Sequence, residues 1–301
     1  MAEQRIATTA TDVLAPIASA GDFLALLKPR VMSLVIFTGL AGIVAAPGHI
    51  NPAIAFIALL CSAVGAGAAG ALNMWYEHDI DALMTRTRAR PIPAGRMEPG
   101  AALGFGAVLA VGSVTVMALG VNWVAGALLA LTILFYVFVY TIWLKRRTPQ
   151  NIVSGGPAGA LAPVVGWAAV TGSVDIGSLA LFLIVFMWTP PHFWALALYR
   201  RGDYERAGIP MLPVVAGERE TRKQILIYTI LLAPVALAPW ALGTAGELYG
   251  AAAAILSGLF IAAAWAVWTD AGEDAAKRLF GFSIAHLFLL FLALIVDRCW
   301  Q

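Results

Sequence analysis

The residues able to do chemistry in this chain are gathered in a few short stretches. The densest is Asn73-Met-Trp-Tyr-Glu77-His-Asp79-Ile-Asp81, followed by Arg86, Arg88, Arg90 and Pro91. On a helix, Asn73, Glu77 and Asp81 fall at i, i+4 and i+8 and project from one broad face. Such a face can hold a hard divalent cation such as Mg2+, which takes one or two carboxylates together with substrate phosphate oxygens. Arg86 and Arg90 could bind the same phosphates. The first expectation is a metal-diphosphate site.

Three other stretches extend it. Tyr199 and Asp203, then Arg206-Ala-Gly-Ile-Pro-Met-Leu-Pro213, repeat the layout of an acid, a base and a Pro-containing loop. Lys145-Arg146-Arg147 precede Thr148-Pro149, which reads as an N-cap and first helical residue, so a positive helix end would face a phosphate there. In Trp188-Thr-Pro-Pro-His192-Phe-Trp194 the adjacent prolines predict a kinked or broken helix with freed carbonyls. His192, Leu196, Tyr199 and Asp203 would share one stripe, with the imidazole about 16 Å deeper than Asp203 by the helical rise.

What must position these residues is a membrane bundle. Of 301 residues, 61% are hydrophobic and 12% charged, with a mean hydropathy of +0.84, outside the range of soluble domains. An all-α, polytopic protein is expected, with nine apolar runs long enough to cross about 30 Å of hydrocarbon. They cover roughly 24–46, 54–76, 101–119, 122–143, 153–171, 177–197, 224–243, 248–268 and 280–296. With the N-terminus in the cytoplasm, Arg5, Lys28 and Arg30 and every later Lys and Arg except Arg298 fall on the inner side. The net charge of +2 is thus a topological signal and does not point to nucleic acid.

The expected organisation is a cytoplasmic tail over 1–23 and one nine-helix domain over 24–298. Its long charged cytoplasmic loops, 77–100 and 198–223, would carry the site. The tail lacks the apolar core of a signal peptide, and Glu3 and Asp12 argue against a transit peptide, so a bacterial inner membrane fits. Lys28-Pro29-Arg30 reads as a snorkelling basic anchor at the first span. Gly155, Gly156, Pro157 and Gly159 read as a soft helix start where a bulky ligand approaches the backbone. The acid motifs follow the second and sixth spans, an offset that suggests a parallel internal repeat of four helices with two facing walls. Cys61 and Cys299 have no paired spacing, and His286 reads as packing.

From about Leu26 to the last span, the chain resembles the UbiA-type intramembrane prenyltransferases. The resemblance rests on the Asn73–Asp81 motif with Arg86-Thr-x-x-Arg90-Pro, on Trp143-Leu-Lys-Arg-Arg-Thr-Pro-Gln-Asn151, on Trp188–Tyr199 and on Asp203–Pro213. Pro190-Pro-His-Phe-Trp194 and Ala207-Gly-Ile-Pro-Met-Leu-Pro213 resemble the members whose acceptor is heme. The resemblance implies nine helices around a central cavity and transfer of the farnesyl group of farnesyl diphosphate to a vinyl group of heme B, with addition of water. It implies Mg2+ on Asn73, Glu77, Asp81 and Asp203, with Tyr199 completing the catalytic set. It puts Arg86, Arg90, Lys145 and Arg146 on the diphosphate, His192 on heme, and Tyr199 or Trp194 facing an allylic cation. Delivery toward heme A synthase or terminal oxidase assembly is a further implication.

The family's first motif is written Asn-x-x-x-Asp-x-x-x-Asp, whereas this chain has Glu77 in the middle, with the same charge on an arm longer by a methylene. Two alternatives stand beside this reading. One is the same fold acting on a quinone-type or chlorophyll-type acceptor. The other is a secondary transporter, whose site would lie near the bilayer midplane, whereas these charges gather at one face.

Overall fold

The computed structural model describes residues 18–270 and 272–300, and its regular elements are all helical. Arg5, Glu3 and Asp12 lie outside the described residues, as does the Arg30 side chain. Among the described residues eight helices are long and apolar enough to cross a membrane, or nine if a bent pair of helices is one further span.

That pair is the first departure from the expected runs. The run over 24–46 is two helices, α1 (Ala20–Leu26) and α2 (Pro29–Ala45), bent by 55°. Helix α1 starts inside the expected tail because Ser19 and Asp22 form a capping box, each side chain bonding the other's backbone N–H. It stops because Lys28 turns to φ 51° and Pro29, with no N–H to give, begins a new helix.

Helix α3 (Pro52–Tyr76) is capped by Asn51 and carries the first motif out at its end, where the short α4 (His78–Leu83) follows. Next come α5 (Pro99–Gly120) and α6 (Trp123–Leu134), which widens into a π-helical stretch over Phe135–Leu144. Helices α7 (Asn151–Ala160) and α8 (Ala162–Thr171) share the fifth crossing. The sixth is α9 (Ile176–Tyr199), followed by α10 (Arg201–Arg206) and α11 (Leu212–Val215). The last three are α12 (Gly217–Ala241), α13 (Glu247–Thr269) and α14 (Glu273–Trp300).

Three local expectations are corrected. Helix α9 runs unbroken through Pro190 and Pro191, and the chain breaks instead at Arg200. The stripe from His192 therefore ends at Tyr199, and Asp203 sits on a separate helix. The helix after Lys145 begins at Asn151, not at Pro149; Thr148 Oγ1 accepts from the Gln150 N–H, so its hydroxyl closes a turn before the helix. Gly155 does not open space for a ligand, since a Cβ there would overlap the Tyr140 ring.

The core has two main parts. One packs α9, α12, α13 and α14 through residues such as Ile184, Leu232, Phe260 and Leu290; the other packs α3, α5, α6 and α8 through Cys61, Met117, Leu129 and Ala168. A small third cluster, Leu26, Met74, Ile92 and Met97, lies where α1 meets the loop after α4. Val108, Leu119 and Ile255 are at least 65% exposed, which in lipid costs nothing.

Helix α2 joins α8 almost backbone to backbone. A Cβ on Gly42 would overlap the Pro163 carbonyl, and one on Gly166 the Gly39 carbonyl, so only hydrogen fits there. Gly166→Leu is expected to destabilise the protein by about 3 kcal/mol or more, as overpacked cores do. Gly159→Ala, whose Cβ would meet nothing within 4 Å, should leave the detergent-solubilised melting temperature unchanged. Equal melting of both variants with wild type would refute the close seam.

Candidate active site

The last turn of α3 buries Asn73 at 3% exposure. Its Oδ1 accepts from Lys28 Nζ at 2.8 Å and its Nδ2 donates to Thr141 Oγ1 at 3.1 Å. An ammonium can only donate, so the amide oxygen must face Lys28. Thr141 comes from the π-helical stretch, whose closing bond runs from the Lys145 N–H to the Tyr140 carbonyl. This wider turn brings Thr141 to Asn73 and Lys145 to Glu77. Lys28 is thus no snorkelling anchor; it reaches inward.

Glu77 ends α3 at 1% exposure. Lys145 Nζ donates to its Oε2, while Oε1 is buried and has no hydrogen-bond partner. Asp81 accepts from Arg90 Nη1 at 2.6 Å, and Thr87 Oγ1 bonds the Asp81 carbonyl at 2.9 Å, which folds the loop back over the acid. Asp79 lies outside this group. Arg146 grips it with two bonds of 2.7 and 2.9 Å, stacks over the Tyr76 ring, and holds the Asp79 carboxyl below the ordinary range.

The second wall meets the first through one residue. Asp203, buried in α10, accepts from Thr85 Oγ1 at 3.0 Å and from Arg206 Nη2. Thr85 belongs to the turn after α4, so the two motifs are bonded directly. Arg86, next to it, is exposed. Tyr199 is partly exposed, edge-on to Phe280 and beneath the Arg200 guanidinium.

On α9, the His192 ring is stacked between Trp188 and Phe280, with centroids at 4.3 and 4.6 Å. Its Nδ1 lies 2.7 Å from Ser283 Oγ, and that hydroxyl donates its one hydrogen to the Phe280 carbonyl at 2.6 Å. The hydroxyl can then only accept from Nδ1, which makes Nδ1 the N–H nitrogen and leaves the lone pair on Nε2. An imidazole so fixed is ready to meet a metal ion through Nε2. Trp194, by contrast, is fully buried, edge-on to Tyr228, and offers no free face to a ligand.

Of the expected site residues, Asn73, Glu77, Asp81, Arg90 and Lys145 assemble in one group, and Asp203 joins it through Thr85. Arg146 is turned to Asp79, Arg86 faces outward, and Tyr199 and His192 sit along α9. Lys28, Thr85, Thr141, Asn151 and Ser283 complete the arrangement without having been expected in it. Asn151 is fully buried, and its Nδ2 donates to the Lys145 carbonyl while its Oδ1 has no partner. Two of them carried a signal: Lys28, a lysine just before a proline at the head of a span, and Asn151, which closes the stretch Trp143–Asn151.

Among the described residues, no three His, Cys, Asp or Glu side chains converge as a metal-holding group. A Mg2+ that arrives with a diphosphate needs only one or two carboxylates. The buried, unpartnered Glu77 Oε1 is an oxygen of the kind such a cation satisfies, so the donor set fits.

A helical membrane bundle with two acid motifs bonded together at one end is the architecture of an intramembrane prenyltransferase. A solved structure of digeranylgeranylglyceryl phosphate synthase superposes with a TM-score of 0.78 at 19% identity, covering 93% of this chain and 99% of that one. A UbiA homolog from Archaeoglobus fulgidus bound to DMAPP and Mg2+ superposes with a TM-score of 0.64 at 17% identity, covering 91% and 99%. The model of the UbiA prenyltransferase family matches residues 34–294, and the chain belongs to that family. It is 64% identical to the protoheme IX farnesyltransferase of Parvibaculum lavamentivorans, over 93% of this chain and 89% of that protein. It is 58% identical to the enzyme of the same name from Granulibacter bethesdensis, over 93% and 92%.

The ion pairs make a test possible without substrate. Glu77→Gln leaves the Lys145 ammonium without its counter-charge and is expected to cost about 3 kcal/mol of stability. Adding Lys145→Met should recover most of that loss in thermal or denaturant melting. A double variant no more stable than Glu77→Gln alone would show that the two groups are not coupled.

Proposed function

We propose that this protein transfers the farnesyl group of farnesyl diphosphate to a vinyl group of heme B, giving heme O and diphosphate. The observation that carries the reading is the 64% identity, across 93% of the chain, to a protein named protoheme IX farnesyltransferase. The side chains suit the chemistry. Ionising an allylic diphosphate requires the departing negative charge to be met by groups already in place. Lys145 and Arg90 stand at the buried acids for that purpose, and Arg86 stands at the mouth. Mg2+, when bound with the diphosphate, would be held by Asn73, Glu77, Asp81 and Asp203 and would neutralise the leaving group.

The farnesyl carbon that loses the diphosphate bonds to the vinyl group, and water adds to the cation left on the acceptor as hydroxide, its proton leaving to solvent. Until then the apolar helices keep water from the allylic cation, and Tyr199 offers it a ring face. Trp194 has no part, being enclosed. His192, its Nε2 lone pair fixed by Ser283, orients heme through the iron. Arg146 acts on the diphosphate only by leaving Asp79.

In this reading the site faces the cytoplasm of a bacterial inner membrane, with the N-terminus on the same side. The four-span offset between the motifs reflects an internal repeat within one domain over 24–298, and the product passes to heme A synthase or terminal oxidase assembly.

Membranes supplied with labelled farnesyl diphosphate and either heme or an aromatic acid test the reading. Farnesylated heme is the expected product, and prenylation of the aromatic acid alone would sink it. Asp81→Ala should insert normally yet lose turnover by about a hundredfold or more, as loss of a preorganised charge site does. Near-normal product formation would count against the ionising role. His192→Ala should weaken heme binding, read from its absorbance, more than farnesyl diphosphate binding; equal loss of both would mark it as structural.

A further inference from the structure

The bases that meet the buried acids are each matched by one. Lys145 is bonded to Glu77, Arg90 to Asp81 and Arg206 to Asp203, and each pair is neutral as a whole. A diphosphate approaching these pairs finds little net positive charge. Lys28 differs, because the atom it bonds is the neutral amide oxygen of Asn73, at 2.8 Å. Asn73 lies one helical turn before Glu77, whose Oε2 bonds Lys145, so this bond brings Lys28 to the first motif.

The backbone is bent to put it there. Lys28 is the one non-glycine residue with positive φ, 51°, among the described residues. An L-residue adopts that conformation at a cost that its surroundings must offset. Here the surroundings are the small-residue face of α3. A Cβ on Gly67 would come within 2.9 Å of Leu27, and one on Gly70 within 3.4 Å of the Lys28 stem, so the break between α1 and α2 docks on glycines that leave room for it. Arg96 donates to Asp22 at 2.9 Å and ties α1 to the loop that carries Arg90. Nothing in an anchor role calls for this placement.

We propose that Lys28 is a diphosphate-binding residue, whose ammonium bonds a phosphate oxygen of the prenyl substrate and supplies the net charge that the paired bases do not. The proposal rests on the reading of the chain as a farnesyl diphosphate enzyme. Asn73 then serves as the resting partner that keeps the ammonium in place before substrate arrives.

The test uses the full chain in lipid nanodiscs, with Mg2+ and farnesyl thiolodiphosphate, a substrate analogue that resists ionisation, and a separate heme titration by absorbance. Lys28→Met and Lys28→Gln should each weaken analogue binding by about tenfold or more, as loss of a charge-assisted bond does. Gln removes the charge while keeping a hydrogen-bond donor toward Asn73 at slightly shorter reach, and it decides the matter if the Met variant fails to fold. Lys28→Arg should stay within about threefold of wild type, because it restores the charge. Heme affinity should be unchanged in all three. Unaltered analogue binding by Lys28→Gln would overturn the role of Lys28 alone, as would parallel loss of analogue and heme. Failure of the wild-type chain to bind the analogue would overturn both this proposal and the function on which it rests.

Discussion

A carboxylate enclosed in an apolar bundle cannot be left with neither water nor a cation, and this constraint shapes the whole motif-bearing end of the molecule. Glu77, Asp81 and Asp203 are nearly inaccessible, and each draws a base from a different part of the chain. Lys145 arrives from the end of the π-helical stretch, Arg90 from the loop after α4, and Arg206 from the last turn of α10 itself. Meeting these acids is what folds the loops inward. These three acid-base pairs are therefore each neutral, and an anionic ligand with its metal must exchange partners with them. Glu77 Oε1 is the one carboxylate oxygen among the three that is buried and still lacks a partner.

Much of this was legible in the sequence because it followed periodicity and charge. The spacing Asn73, Glu77, Asp81 is helical, and the helix does carry the first two on its last turn. The apolar runs matched real crossings because hydropathy over some twenty residues is set by lipid and not by tertiary detail. The first run misled, since apolar residues flank Lys28-Pro29-Arg30 on both sides and hydropathy does not register a change of φ. Pro190-Pro191 misled in the opposite direction. A double proline removes two hydrogen bonds, yet α9 continues through it, braced by its neighbours: Trp188 Nε1 bonds the Ser283 carbonyl on α14 at 2.8 Å.

Long-range contacts left no trace in spacing. Thr85 and Asp203 are joined across the two loops, Asn73 and Thr141 across two crossings, and His192 and Ser283 across α9 and α14. Thr and Ser are common enough that neither type nor position singled these out. Their roles follow from what they face. Thr85 keeps two acid walls together, and Ser283 decides which nitrogen of an imidazole bears the proton. Arg146 shows the converse, a residue whose type suited phosphate but which the exposed Asp79 has already taken.

The glycine seam between α2 and α8 also settles a question of traffic. Where the Gly42 and Gly166 backbones touch Pro163 and Gly39 there is no width for a hydrocarbon chain. A lipid tail or a flat macrocycle cannot slip sideways between these two helices. Exchange with the bilayer must use another gap in the ring of helices, and the side of the protein bearing this seam works as a closed wall.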